Sequence, residues 1–128
     1  MKISFVGLGY VGLTTAVCLA AKGFKVVGID LDPGKIDLIN GGKAPFKEPS
    51  LDKLLHRVLR GGSFRCSTNY SEIAGTDVTF ITVGTPSRAD GSIDLTYVID
   101  ASKAIGEVLS AKPRPHRCRE KYSGSRNH

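Results

Sequence analysis

The stretch GLGYVGL at residues 7–13 decides how the rest of this 128-residue chain reads. Its spacing, Gly7-x-Gly9-x-x-Gly12, fits the fingerprint of a dinucleotide-binding turn, but three glycines alone recur by chance and gain meaning only from what flanks them. Residues 2–6 (KISFV) form a short β-rich apolar run. Residues 11–22 are small and apolar throughout, a helical stretch that Gly23 ends. FKVVGID at 24–30 then supplies a second buried strand finishing at Asp30. The glycines therefore open a βαβ unit of about 30 residues, as a dinucleotide-binding turn requires.

Further elements follow in the same alternating order. Asp32-Pro33 starts a helix through Asn40, with proline at the first helical position where no N–H is needed. Two prolines exclude regular structure from KAPFKEP at 43–49. Ser50 is expected to cap an amphipathic helix whose apolar positions are Leu51, Leu54, Leu55, Val58 and Leu59. FRCST (64–68) reads as a third strand and SEIAGTD (71–77) as a short helix or turn. VTFITV (78–83) is apolar on both faces, as a central parallel strand should be, and stops at Gly84-Thr85-Pro86. Asp94 can cap a last helix through Tyr97, Val98, Ala101, Ile105 and Val108. The expected fold is α/β, a Rossmann-type doubly wound parallel sheet missing its later strands, with its ligand crevice at the carboxyl ends of strands one and four.

Composition narrows the class. With 41% hydrophobic and 23% charged residues the chain is that of a folded globular protein. Its length suffices for one core, not for a cofactor domain and a substrate domain together. No apolar run is long enough to span a membrane and no secretory signal precedes Gly7, so a cytoplasmic protein with no membrane partner is expected. The net charge of +6 invites a nucleic-acid reading, but residues 1–110 hold 12 Lys and Arg against 11 acids, while residues 111–128 hold 6 against 1. The basicity belongs to the tail, and no nucleic-acid partner is expected. Cys18, Cys66 and Cys118 are far apart and odd in number, which argues against a disulfide framework or a metal site. His56 belongs to a solvated or partly packed helix face.

Each candidate site residue has a chemical reason. Gly7 permits the tight turn, Gly9 lets the backbone approach a pyrophosphate, and Gly12 allows close helix-to-strand packing. The amides near Tyr10 and Val11, at the helix N-terminus, can hydrogen-bond phosphate oxygens, helped by the partial positive charge there. Asp30, 18 residues past Gly12, can accept both ribose hydroxyls of an adenosine half and repels a 2′-phosphate, which favours NAD over NADP. Lys35 can reach the same ribose or the adenine edge, and Thr85 ends the central strand beside the cofactor. The competing reading of these residues is plain chain geometry: an exposed helix lysine and a strand-ending turn.

Taken together, MKISFVGLGYVGLTTAVCLAAKGFKVVGIDLDPGKIDLIN, EPSLDKLL and VTFITVGTPSRADGSIDLTYV resemble the N-terminal domain of the UDP-glucose/GDP-mannose dehydrogenase family over about residues 1–110. The first segment is shared in outline with other reductases, and the segment from Val83 to Val98 is the more specific. The resemblance implies NAD-dependent oxidation of a nucleotide sugar at the C6 alcohol to a carboxylate, with two NAD per turnover. It supports Tyr10 and Val11 at the pyrophosphate, Asp30 and Lys35 at the adenosine ribose, and Thr85 near the cofactor, and gives Glu48-Pro49 no catalytic role. Family members place a nucleophilic Cys, a Lys and an Asp in later domains, and none of the three cysteines here lies in a matching motif, so no catalytic residue is assigned. Oxidation of aldehyde to acid needs such a thiol to form the thiohemiacetal that gives up the second hydride. The expectation is an NAD-binding domain that is inactive alone, the nucleotide sugar being a ligand only of a full-length parent. The rivals are a fragment of another hydroxyacid or acyl-CoA dehydrogenase, and a non-catalytic scaffold or regulatory module.

Pattern and charge change together near residue 112, where an apolar fifth strand is due but PHRCREKYSGSRNH offers only Cys118 and Tyr122 to bury. Residues 111–128 are therefore read as a basic tail, expected to be disordered, whose origin is a frameshift, since codons for 116–128 can be chosen so that the next frame encodes TVVVRNTVVPGT; the alternative is a natural or cloned basic tail that is simply disordered. A missing fifth strand would leave one side of strand four uncovered, a surface for homo-oligomer formation.

Overall fold

Four of the five side chains of β1 (Lys2–Val6) are buried, and because neighbours along a strand point to opposite faces, they feed two cores. Ile3 and Phe5 join a cluster with Leu13, Val17, Leu55 and Phe64. Val6 joins Ile29, Ile73, Ile81, Ala101 and Ile105 on the other face. Each large side chain so buried contributes roughly 1.5–3 kcal/mol. The computed structural model describes residues 1–84, 89–92, 94–110 and 117–120. After β1 come α1 (Tyr10–Ala21), β2 (Lys25–Ile29), α2 (Pro33–Asn40), α3 (Pro49–Gly61), β3 (Phe64–Ser67), a 3-10 turn (Tyr70–Gly75), β4 (Val78–Ile81), α4 (Thr96–Ser110) and β5 (Arg117–Glu120).

All strands pair in parallel in the order β3-β2-β1-β4-β5. Helices α1, α2 and α3 cover one face, and α4 with the 3-10 turn covers the other. The chain winds outward from β1 through β2 to β3, then returns to β4 on the far side of β1. That reversal opens the crevice expected at the carboxyl ends of β1 and β4. Three buried hydroxyls stitch the second face: Ser4 Oγ lies 2.7 Å from Thr79 Oγ1 and 3.0 Å from Thr76 Oγ1, and the Thr76 hydroxyl donates to the Ile73 carbonyl at 2.7 Å.

Two details differ from the sequence reading. Helix α3 starts one residue early, with Pro49 in its first turn and Glu48 before it, so Ser50 is not its cap; proline's fixed φ favours that first position. The fifth strand, expected to be missing, is present over Arg117–Glu120 and pairs along Val78–Ile81. An edge strand needs backbone donors and acceptors more than apolar side chains, so the absence of an apolar pattern did not forbid it. The side of β4 on which self-association was expected is therefore covered. The remaining expectations for residues 111–116 and 121–128 lie outside the described residues.

Candidate functional site

The glycine turn is held in place from three directions. The Gly7 N–H donates to the Ile29 carbonyl at 2.7 Å, the Leu8 N–H donates to Asp30 Oδ2 at 2.9 Å, and the Thr82 hydroxyl donates to the Gly7 carbonyl at 2.7 Å. The Leu8 side chain, fully buried, lies over Gly28 of β2, where any Cβ would meet it at 2.7 Å. The turn is thus fastened to β2 and to the residue after β4, so hydrogen bonds from the protein itself set its geometry.

The three fingerprint glycines have different reasons to be glycine. Gly7 sits at φ +99, and a Cβ there would meet the Thr82 backbone at 2.7 Å. At Gly12 a Cβ would come within 2.1 Å of the Gly7 carbonyl oxygen and 2.5 Å of Thr82 Oγ1. Both are demanded by the protein's own packing. Gly9 has φ −78 and ψ −163, an extended backbone open to any residue, and nothing lies within 4 Å of where its Cβ would be. Its missing side chain leaves space on the outside of the turn.

Gly9 also precedes α1 without a side chain to cap it. The first intrahelical bond runs from the Leu13 N–H to the Gly9 carbonyl, so the N–H groups of Tyr10, Val11 and Gly12 have no acceptor within the helix. Three donors and the positive end of the helix dipole therefore stand beside the open space at Gly9, the requirements of an anion site. The exposed Tyr10 ring packs on Phe46 from the segment between α2 and α3, with ring centroids 5.1 Å apart.

Beside the turn lies a cleft of about 530 Å³ lined by Gly7, Gly9, Asp30, Lys35, Thr82 and Tyr97, among others. Asp30 faces the glycine turn. Its Oδ2 accepts from Leu8 N–H and, at 3.2 Å, from Lys35 Nζ, while Oδ1 accepts from the Asp32 N–H at 3.1 Å. Lys35 is placed by α2, whose start is capped by Asp32 accepting from the Gly34 and Lys35 N–H groups. Tyr70 also lines the cleft, and burial, then the carboxylates of Asp30 and Asp100, push its phenol up from the ordinary value. It stays a neutral hydroxyl.

Of the residues picked from sequence, Gly7, Gly9, Asp30 and Lys35 meet in this cleft; Tyr10 and Val11 stand at the helix tip next to it, and Gly12 is buried under the turn. Thr85 lies outside the described residues. Sequence reasoning missed Thr82, Leu8 with Gly28, and the α4 residues Tyr97 and Asp100. The two described thiols do not line the cleft: Cys18 is exposed on α1, and Cys66 is buried against Asn40, with burial and then Asp30 pushing it up to about 12. Among the described residues, no group of three His, Cys, Asp or Glu is placed to hold a metal, and no helix is long and apolar enough to cross a membrane.

Residues 1–114 match the UDP-glucose/GDP-mannose dehydrogenase family, NAD binding domain. The chain belongs to that family. It is 46% identical over 117 residues to a GDP-mannose 6-dehydrogenase of Pseudomonas syringae pv. syringae and 43% identical over 116 residues to the UDP-glucose 6-dehydrogenase AglM of Haloferax volcanii. Each alignment covers 91% of this chain and 27% of the relative. The fold overlays a crystal structure of a ternary complex of GDP-mannose dehydrogenase from Pseudomonas aeruginosa with a TM-score of 0.93 at 40% identity, over 96% of this chain and 28% of that one. The chain thus spans about a quarter of the length of the relatives it matches, the part that carries the NAD-binding fold, and NAD is the cofactor of this domain family.

Proposed function

We propose that this chain binds NAD in the cleft between the glycine turn and Asp30, and that it is the cofactor-holding part of a nucleotide-sugar 6-dehydrogenase of GDP-mannose or UDP-glucose type. The observation that carries the reading is the 2.9 Å bond from Leu8 N–H to Asp30 Oδ2. It fixes a carboxylate that can take ribose hydroxyls within one residue of a helix tip that can take phosphates. Gly9, whose backbone needs no glycine, supports it further, because the space outside the turn suits a close-lying pyrophosphate.

In this reading Gly9 leaves room, the amides of Tyr10 and Val11 hold phosphate oxygens, and Asp30 and Lys35 hold the adenosine ribose, with Thr85 near the cofactor. Bound NAD supplies a hydride acceptor. Thr82, buried, keeps the turn's carbonyl turned inward so that the amides face out. Neither described thiol lines the cleft, and Cys66 is held protonated, so in this reading the described residues orient an oxidant without supplying the nucleophile for the aldehyde-to-acid step. Its working partner is the remaining part of the dehydrogenase, where the nucleotide sugar would bind.

The test is titration with NADH, read by the cofactor's own emission, since the chain has no tryptophan. Saturable enhancement by NADH, with no NAD reduction on adding GDP-mannose or UDP-glucose to this chain alone, is the expected result. Absence of any saturable signal would refute the cofactor role.

A further inference from the structure

The carboxylate of Asp30 is already heavily used. Oδ2 accepts from Leu8 N–H at 2.9 Å and from Lys35 Nζ at 3.2 Å, and Oδ1 accepts from Asp32 N–H at 3.1 Å. A carboxylate offers about four acceptor sites, so one remains free, whereas a ribose diol directed at this group donates two bonds. The Leu8 and Asp32 donors are backbone and fixed. Lys35 is the only one of the three that can leave, with a side chain 27% exposed on a flexible stem. Among the described residues lining the cleft it is also the only cation, facing the acids Asp30 and Asp100.

Resting on the cofactor reading above, we infer that Lys35 sets how strictly this site rejects a 2′-phosphorylated dinucleotide: it releases Asp30 when the ribose arrives and stands ready to meet a 2′-phosphate. Asp30 and Lys35 act on that phosphate with opposite sign from one place. The carboxylate repels it and gives the preference for NAD; the ammonium, three donors and no acceptor, lowers the penalty. Toward NAD itself Lys35 exchanges one partner, Asp30, for another, a ribose oxygen, and supplies one modest contact.

The test uses the whole chain as wild type, Lys35→Met, Asp30→Asn and the double variant, each titrated with NADH and with NADPH, with thermal melts to confirm folding. Asp30→Asn keeps an acceptor for Leu8 N–H. Lys35→Met should weaken NADH a few-fold, the loss of one partly exposed ribose contact. It should weaken NADPH by about tenfold or more, the effect of removing a lone cation facing a dianion. Asp30→Asn should move the preference toward NADPH by about tenfold or more, and adding Lys35→Met should cancel that gain. Equal effects of Lys35→Met on both dinucleotides, or an Asp30→Asn gain that survives it, would overturn the inference. If the folded wild type binds neither dinucleotide, the cofactor reading itself falls and this inference falls with it.

Discussion

Gly9 and Gly12 lie three residues apart in one motif, and the structure assigns them opposite consequences on substitution by alanine. At Gly12 the new methyl would stand 2.1 Å from the Gly7 carbonyl oxygen and 2.5 Å from Thr82 Oγ1, more than 1 Å short of an ordinary contact at the first, which begins at 3.4 Å. Neither neighbour is the free end of a long side chain, so α1 must move off the turn. Overpacking of that kind costs about 1–3 kcal/mol, and disturbing the Thr82-to-Gly7 hydrogen bond adds about 1, offset by about 1 from alanine's helix propensity. The net loss is roughly 1–3 kcal/mol, a fall in Tm of roughly 4–12 °C for a chain of this length. At Gly9 the methyl meets nothing within 4 Å and the backbone is extended. Stability should change by less than about 1 kcal/mol, the scale of replacing glycine by alanine before a helix. The same methyl occupies the side of the turn from which phosphates reach the α1 amides, and losing one charge-assisted bond there weakens NADH by about tenfold or more. Thermal melts by circular dichroism and NADH titrations separate the two effects. The reasoning fails if Gly9→Ala binds NADH like the wild type, or if Gly12→Ala melts unchanged.

Thr82→Val keeps volume but removes the donor to the Gly7 carbonyl, so the protein should lose about 1–2 kcal/mol by chemical denaturation, with weaker NADH binding because the turn loses one of its three fastenings. Phe46→Ala removes the ring against Tyr10; an aromatic pair contributes about 0.5–1.5 kcal/mol, and NADH affinity should fall by a few-fold while Phe46→Tyr restores it. Alkaline titration tests Cys66. Its folded thiol is pushed up to about 12 from 9.0, so between those values the unfolded chain has given up a proton that the folded chain keeps, and stability falls as pH rises. The difference in Tm between wild type and Cys66→Ala should therefore shrink from pH 9 upward; parallel curves would refute the burial argument. Under mild alkylation at neutral pH, exposed Cys18 should label before Cys66, as read by peptide mass spectrometry.

What could be read from the residues in order was whatever depends on near neighbours. Gly7, Gly12 and the Asp32-Pro33 start are local rules of turn and helix, and Asp30 followed from counting along a βαβ unit. Thr82 could not be found that way, because its partner, Gly7, is 75 residues distant. The parallel register of β1 with β4 pairs Val6 with Ile81, which puts the next residue of each strand, Gly7 and Thr82, side by side. A shift of one residue would have brought Ile81 or Val83 there instead, with no hydroxyl to offer. The Leu8 side chain over Gly28 depends in the same way on the β1–β2 register, which pairs Phe5 with Gly28. Register is chosen by the sum of buried contacts on both faces of the sheet, a property of the packed chain rather than of any segment. The site is therefore legible in two grades: its glycines and acid from spacing, and the residues that make the turn rigid only from the assembled sheet. Rigidity is the part that matters for binding, since a glycine turn left free would have to be ordered by the ligand at the expense of affinity.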